Sequence, residues 1–173
     1  MLGFAAAAAS VHQVHLGAVA VPLFSMGVIA GRTVLGWVPD RVGSARTLGV
    51  AVLAEATGLV GVALASTLPV TVSALVLLAL GQGLAVPALG MRALSAVPSA
   101  DHGAASGLFF GYFDLGVGLG GPAVGFVAER ADPGAALLVA AGAVLAAAPA
   151  ALLTTSKNAK LVSLHAPRAP SPR

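Results

Sequence analysis

Five stretches of the chain are apolar almost without interruption, with the polar positions gathered between them: Leu16 to Val38, Thr47 to Ser66, Leu68 to Met91, Ala104 to Ala128 and Gly134 to Leu153. At the helical rise, about 20 residues cross roughly 30 Å of hydrocarbon. Each run therefore predicts a transmembrane helix. The interruptions are short: "STLP" separates the second run from the third, "VPSADHG" the third from the fourth, and "ERADPG" the fourth from the fifth. None can form a separate domain. Pro22, Pro87, Pro122 and Pro149 fall inside the runs, where neighbouring helices can satisfy the carbonyls that proline frees. The runs lack the alternation, about ten residues per strand, of a transmembrane barrel.

Composition supports lipid as the solvent. Hydrophobic residues make up 58% of the 173 positions and charged residues 9%, against about 25% charged in an average soluble domain. A water-soluble surface cannot be covered with so few charges, and the mean hydropathy of +0.96 agrees. Alanine, glycine and valine dominate the runs, a composition that lets helix backbones approach closely in lipid. With no cysteine, disulfides and thiolate metal sites are excluded.

Positive charge sets the expected orientation. With the loop after the first full span in the cytoplasm, Arg32, Arg41, Arg46, Arg92, Lys157, Lys160, Arg168 and Arg173 belong to the cytoplasmic side, and Arg130 alone lies outside. Residues 154–173 then form a basic, proline-rich cytoplasmic tail, expected to be disordered. Five spans that end inside must begin outside, yet residues 1–15, "MLGFAAAAASVHQVH", have neither a charged leader region nor a cleavage pattern. They read as the last turns of a sixth span and an external loop, so the chain is expected to be an N-terminally incomplete piece of a larger membrane protein. Residues 16–153 form the five-helix bundle.

Between the first two runs, "GWVPDRVGSAR" holds Gly36, Asp40, Arg41, Gly43 and Arg46. It resembles the G-x-x-x-D-R-x-G motif in the cytoplasmic loops of major facilitator superfamily transporters, with Ser44 and Ala45 standing where the family often carries basic residues. Farther on, "GQGLAVPALGMRALSAVPSADHGAASGLFFGYFDLGVGLGGPAVGFVAE" resembles the tenth and eleventh helices of efflux-type members. The resemblance covers about residues 5 to 155. It implies an all-α membrane protein of about five full transmembrane helices plus a partial N-terminal one, half of a twelve-helix fold. It also implies that the motif loop is a conformational latch against the opposite half.

Three ionisable side chains fall inside the runs. Leaving Arg32, Glu55 and Asp114 all in lipid would cost around 8–10 kcal/mol on an insertion scale, so they should face protein or water. Arg32 and Glu55 lie at matching depths, roughly 12–13 Å along their helices from the intervening turn, which predicts a buried ion pair. Its role is either to tie the hairpin together or to handle protons or substrate. Gly107, Gly111, Asp114, Gly118, Gly121 and Gly125 recur at spacings of four and three. This places them on one helical face, suited to helix packing or to bordering a cavity. Asp114 is the candidate for proton coupling, with a packing acid as the alternative. Gln82 and Tyr112 are candidate cavity-lining groups or interhelical hydrogen bonders, and Arg92 reads as an interface anchor.

Other motifs fail in context. "GVGLGG" at Gly116–Gly121 formally fits a dinucleotide fingerprint but lies in an apolar helix with no preceding strand. His12 and His15 have one-turn spacing without a third ligand, so no metal site is expected. No nucleophile motif joins Ser, His and Asp, so no enzyme activity and no cofactor are expected. The one-sided basic charge lacks aromatic interleaving, which argues against nucleic acid.

The reading is the C-terminal half of a secondary transporter in the cell membrane, multi-pass with its C-terminus cytoplasmic. It would carry out proton-coupled efflux of a small organic solute by alternating access. The partners expected are the lipid bilayer, a small-molecule substrate, protons and a complementary N-terminal half, without which the chain is expected to be inactive. The competing reading is a non-transporting scaffold or degenerate remnant.

Overall fold

The computed structural model describes residues 17–165, with side chains described for 20–152. The expected partial helix over 1–15, including His12 and His15, lies outside the described residues, as do Arg168 and Arg173 in the tail and the side chains of Lys157 and Lys160. The described chain forms α1 (Gly17–Leu35), α2 (Val38–Val42), α3 (Ser44–Leu64), α4 (Leu68–Ser95), a 3-10 turn (Ser99–Asp101), α5 (His102–Arg130) and α6 (Pro133–His165), with no strand among the described residues. It is an all-α membrane fold. Four of the helices, α3 to α6, are long and apolar enough to cross a membrane, and the described part of α1, Ala20–Leu35, is a shorter apolar helix.

The short connections are closed by local chemistry. Thr67, in extended conformation, precedes α4 with Pro at the helix start, where a missing N–H leaves no helical bond unmade. In "ERADPG" the Asp132 carboxylate accepts a 2.9 Å hydrogen bond from the Ala135 backbone N–H and so caps α6, with Pro133 as its first residue. The tail expected from Thr154 begins instead as a continuation of α6 to His165. This differs from the expected disorder because "TTSKNAKLVSLH" contains neither proline nor glycine to interrupt helical bonding, and the prolines resume only at Pro167.

Helix α4 is the centre of the bundle. It packs against α3 on one flank and α1 on the other, α6 packs on α3, and α5 touches only the rim of α4 and α6. Small residues set these spacings. A Cβ at Gly58 would lie 2.7 Å from the Leu78 backbone nitrogen, one at Gly61 2.8 Å from the Ala74 Cβ, and one at Gly81 2.9 Å from the Ala51 carbonyl oxygen. The rising and falling numbers make α3 and α4 antiparallel. On the other flank Gly27 meets Ala79 and Gly31 meets Gly83, so α1 and α4 run parallel. Ala20, Phe24, Leu59, Val62, Leu75, Leu78 and Leu137 fill the core between these contacts. Lipid tails are as apolar as leucine, so close van der Waals contact between backbones, more than exclusion of water, holds such helices together.

Candidate functional site

Three features contain the chemistry: the turn between α1 and α3, the ionisable groups inside the helices, and the cleft between α4 and α5.

The turn is built around two glycines. A Cβ at Gly36 would collide with the Arg32 carbonyl oxygen, so only glycine lets the chain leave α1 this sharply. Pro39, buried, starts α2. Gly43 has φ of +96°, a backbone conformation that side chains disfavour, and it joins α2 to α3. Its N–H bonds to the Pro39 carbonyl and its own carbonyl accepts from the Thr47 N–H and the Thr47 hydroxyl at 3.0 Å. The Arg41 guanidinium lies 4.7 Å from the centre of the Trp37 ring. Asp40 and Arg46 are exposed, and among the described residues Asp40 forms no ion pair or hydrogen bond.

Arg32 and Glu55 do not form the expected pair. Arg32 is exposed, whereas Glu55 is 6% exposed and its Oε1 has no hydrogen-bond partner among the described residues. Their depths match, but their directions do not. Gly31 and Gly83 show that α1 packs on one flank of α4, and Gly81 shows that Glu55 packs on the other. The central helix α4 therefore stands between α1 and α3, the two long helices joined by the α2 turn.

The glycine face of α5 also departs from expectation. No residue of α5 is buried, Asp114 is exposed, and a Cβ at Gly107, Gly111, Gly118, Gly121 or Gly125 would meet nothing within 4 Å. These glycines pack on no helix among the described residues. The side of α5 that does touch the bundle is instead marked by half-buried Ala105, Phe109 and Phe113, with Phe109 3.9 Å from where a Gly90 Cβ would be. The glycines that do pack, on α1, α3 and α4, were the ones sequence spacing did not single out.

Tyr112 lines an open apolar cleft of about 500 Å³ between α4 and α5, with Leu89, Ala93, Leu108, Phe109 and Phe113. Gln82 is half-buried elsewhere on α4, between Gly81 facing α3 and Gly83 facing α1, so the two polar candidates do not converge. Arg92, expected as an interface anchor, is instead turned into the bundle. It is 7% exposed, and its guanidinium donates to the carbonyls of Ala151 at 2.9 Å and Leu152 at 3.0 Å, fastening α4 to α6.

A family model described as the Major Facilitator Superfamily matches residues 1–172. The chain belongs to that superfamily. Among its relatives, the uncharacterized MFS-type transporter YhhS of Escherichia coli K12 is 35% identical over 155 residues, which cover 89% of this chain and 37% of that protein. YhhS of Salmonella enteritidis is 32% identical over 140 residues, 79% of this chain and 33% of the relative. An uncharacterized MFS-type transporter of Pseudomonas aeruginosa is 45% identical over 49 residues, 28% of this chain and 12% of the relative. The chain thus spans little more than a third of the length of the YhhS proteins it matches. No solved structure matches it. Superfamily membership makes it a multi-pass membrane protein of a transporter family, in agreement with its apolar helices.

Proposed function

We propose that this chain is the C-terminal half of a secondary transporter that exports a small organic solute by alternating access, in partnership with an N-terminal half. One observation carries this reading: Asp114, in the middle of the apolar helix α5, lies on an exposed face. A charge in hydrocarbon costs several kcal/mol, about 2.5–3.5 for Arg or Asp at a helix centre on an insertion scale. Lipid is therefore the wrong neighbour for this face, and a protein half or a water-filled pathway is the right one.

The glycine face beside Asp114 suits close approach of a partner helix. Asp114, at the same face, is the candidate for coupling transport to protons. The turn holding Gly36, Asp40, Arg41, Gly43 and Arg46 is the latch, with exposed Asp40 and Arg46 available to the opposite half. In this reading the turn is cytoplasmic, as is the C-terminus, and the protein resides in the cell membrane.

The reading is tested by expressing the chain with and without a six-helix N-terminal half in cells stripped of efflux pumps, then following retention of a panel of small organic dyes. The expected result is lowered retention of at least one dye when both halves are present. That effect should be abolished by a protonophore, and strongly reduced by Asp114→Asn without loss of membrane insertion. Retention unchanged by the second half for every dye would overturn it.

A further inference from the structure

The cleft between α4 and α5 has a chemistry that neither the latch nor Asp114 uses. Its α5 wall is aromatic: Phe109 and Phe113 follow one another along the helix with ring centres 6.5 Å apart and planes tilted by 30°, and Tyr112 stands beside them. Its α4 wall is aliphatic, made by Leu89 and Ala93. Gly90 keeps that wall low, because a Cβ there would already lie 3.9 Å from the Phe109 Cε1, and a longer side chain would press on the ring.

Among the described residues no charged side chain lines the cleft. Arg92 is turned to the Ala151 and Leu152 carbonyls of α6, and Asp114 lies about 140° round α5 from Phe109 at the helical period. An ion placed here would lose its water and gain no opposite charge. One polar group does lead out of the cleft. Gln82, Leu89 and Ala93 are seven and four positions apart, which puts them on one stripe of α4 with Gln82 about 10 Å along the axis from Leu89. The Gln82 amide is half-buried and forms no hydrogen bond among the described residues.

These features select the occupant. The volume of about 500 Å³ falls in the range of roughly 300–1,000 Å³ usual for small-molecule sites. A helix about 10 Å wide would need about 900 Å³ over the roughly 12 Å from Ala105 to Phe113, so a partner helix does not fit inside. A lipid acyl chain would fit, but it leaves the Gln82 amide without a partner. We propose that this cleft, with Gln82 at its mouth, binds an uncharged aromatic solute that carries an amide, ketone or ester group. The ring lies against Phe109 and Phe113, and the polar group exchanges a hydrogen bond with Gln82. Solute and Asp114 are then on opposite sides of α5 and do not touch. That the bound solute is the one exported rests on the transporter reading; the existence of the site does not.

The test is photolabelling of the full chain in phosphatidylcholine vesicles, with and without a six-helix N-terminal half. The probe is 4-benzoyl-N-propylbenzamide, compared with 4-benzoylbenzoate, a trimethylammonium benzophenone and 4-butylbenzophenone, which lacks the amide. Labelled positions are read by mass spectrometry. The expected result is saturable labelling by the amide probe within residues 82–93 and 105–113, kept when the half is present, with the charged analogues bound about tenfold or more weakly. Gln82→Leu should weaken the amide probe about fivefold and leave 4-butylbenzophenone unchanged, whereas Gly90→Leu should remove both. Helical circular dichroism checks that each variant is folded, and Gln82→Leu keeps the test decisive if Gly90→Leu is not. Labelling that never saturates and spreads along the helices would overturn the site in favour of lipid, and labelling lost when the half is added would overturn it in favour of protein contact. Equal labelling by the charged analogues, or an amide probe indifferent to Gln82→Leu, would also overturn it. Dye export by the two halves without saturable labelling sinks this site alone, and saturable labelling of the paired halves without export of any dye or of the probe sinks the transporter reading alone.

Discussion

Helices α4 and α5 both carry glycines, and they use them in opposite ways. Around α4, glycines bring backbones together: Gly31 and Gly83 meet across α1 and α4, and Gly58 lies against the Leu78 backbone. Along α5, five glycines on one face meet nothing within 4 Å, and no residue of the helix is buried. A small-residue stripe thus marks a surface able to pack closely, without saying whether the partner belongs to the same chain. The ionisable residues separate the two cases. The acid beside the α4 contacts is enclosed, and the acid on the α5 face is exposed.

The sharpest way to break this comparison is to add the same bulk to each stripe. Gly58→Leu drives a side chain into the Leu78 backbone and should cost about 3 kcal/mol, the upper range for overpacking, whereas Gly118→Leu should change the stability of the chain by less than about 0.5 kcal/mol. Denaturation in mixed micelles, followed by helical circular dichroism, measures both. If the two variants lose equal stability, the distinction fails.

Next in size is the fastening of α6. Arg92→Leu removes charge-assisted bonds to the Ala151 and Leu152 carbonyls and should cost about 1.5–3 kcal/mol, with faster proteolysis beyond Leu152. Arg92→Lys should recover only part, because one ammonium does not reproduce the guanidinium fork. At the turn, Gly43→Ala forces a side chain into a positive φ and should cost about 1–3 kcal/mol. The smallest effect is expected from Trp37→Ala, which removes the ring beneath Arg41 and should cost about 0.5–1 kcal/mol at this exposed site. A thermal melt resolves the ranking of these three.

Much of the helix plan was legible in the sequence because a bilayer imposes length. The run from Leu68 to Met91 became Leu68–Ser95, and that from Ala104 to Ala128 became His102–Arg130. Depth was legible too, since counting residues from a turn measures distance along a helix. Direction around the helix was not. Arg32 and Glu55 were matched in depth, but pairing them assumed that consecutive helices are neighbours, and α4 intervenes. The same gap concealed Arg92, whose partners are carbonyls about sixty positions away; backbone acceptors leave no signature in side-chain pattern. At the turn, Gly43 was found through its motif, and its positive φ supplies the physical reason for glycine there.

The central claim is that the glycine face of α5 meets a second protein half. The chain contains no cysteine, so a single Gly118→Cys substitution gives a unique probe in membranes where a six-helix N-terminal half carries its own single cysteines. The account predicts rapid disulfide cross-linking to one helix of that half, and protection of the probe from a lipid-soluble maleimide only when the half is present. Equal maleimide labelling with and without the half, and no cross-link at any partner position, would contradict it.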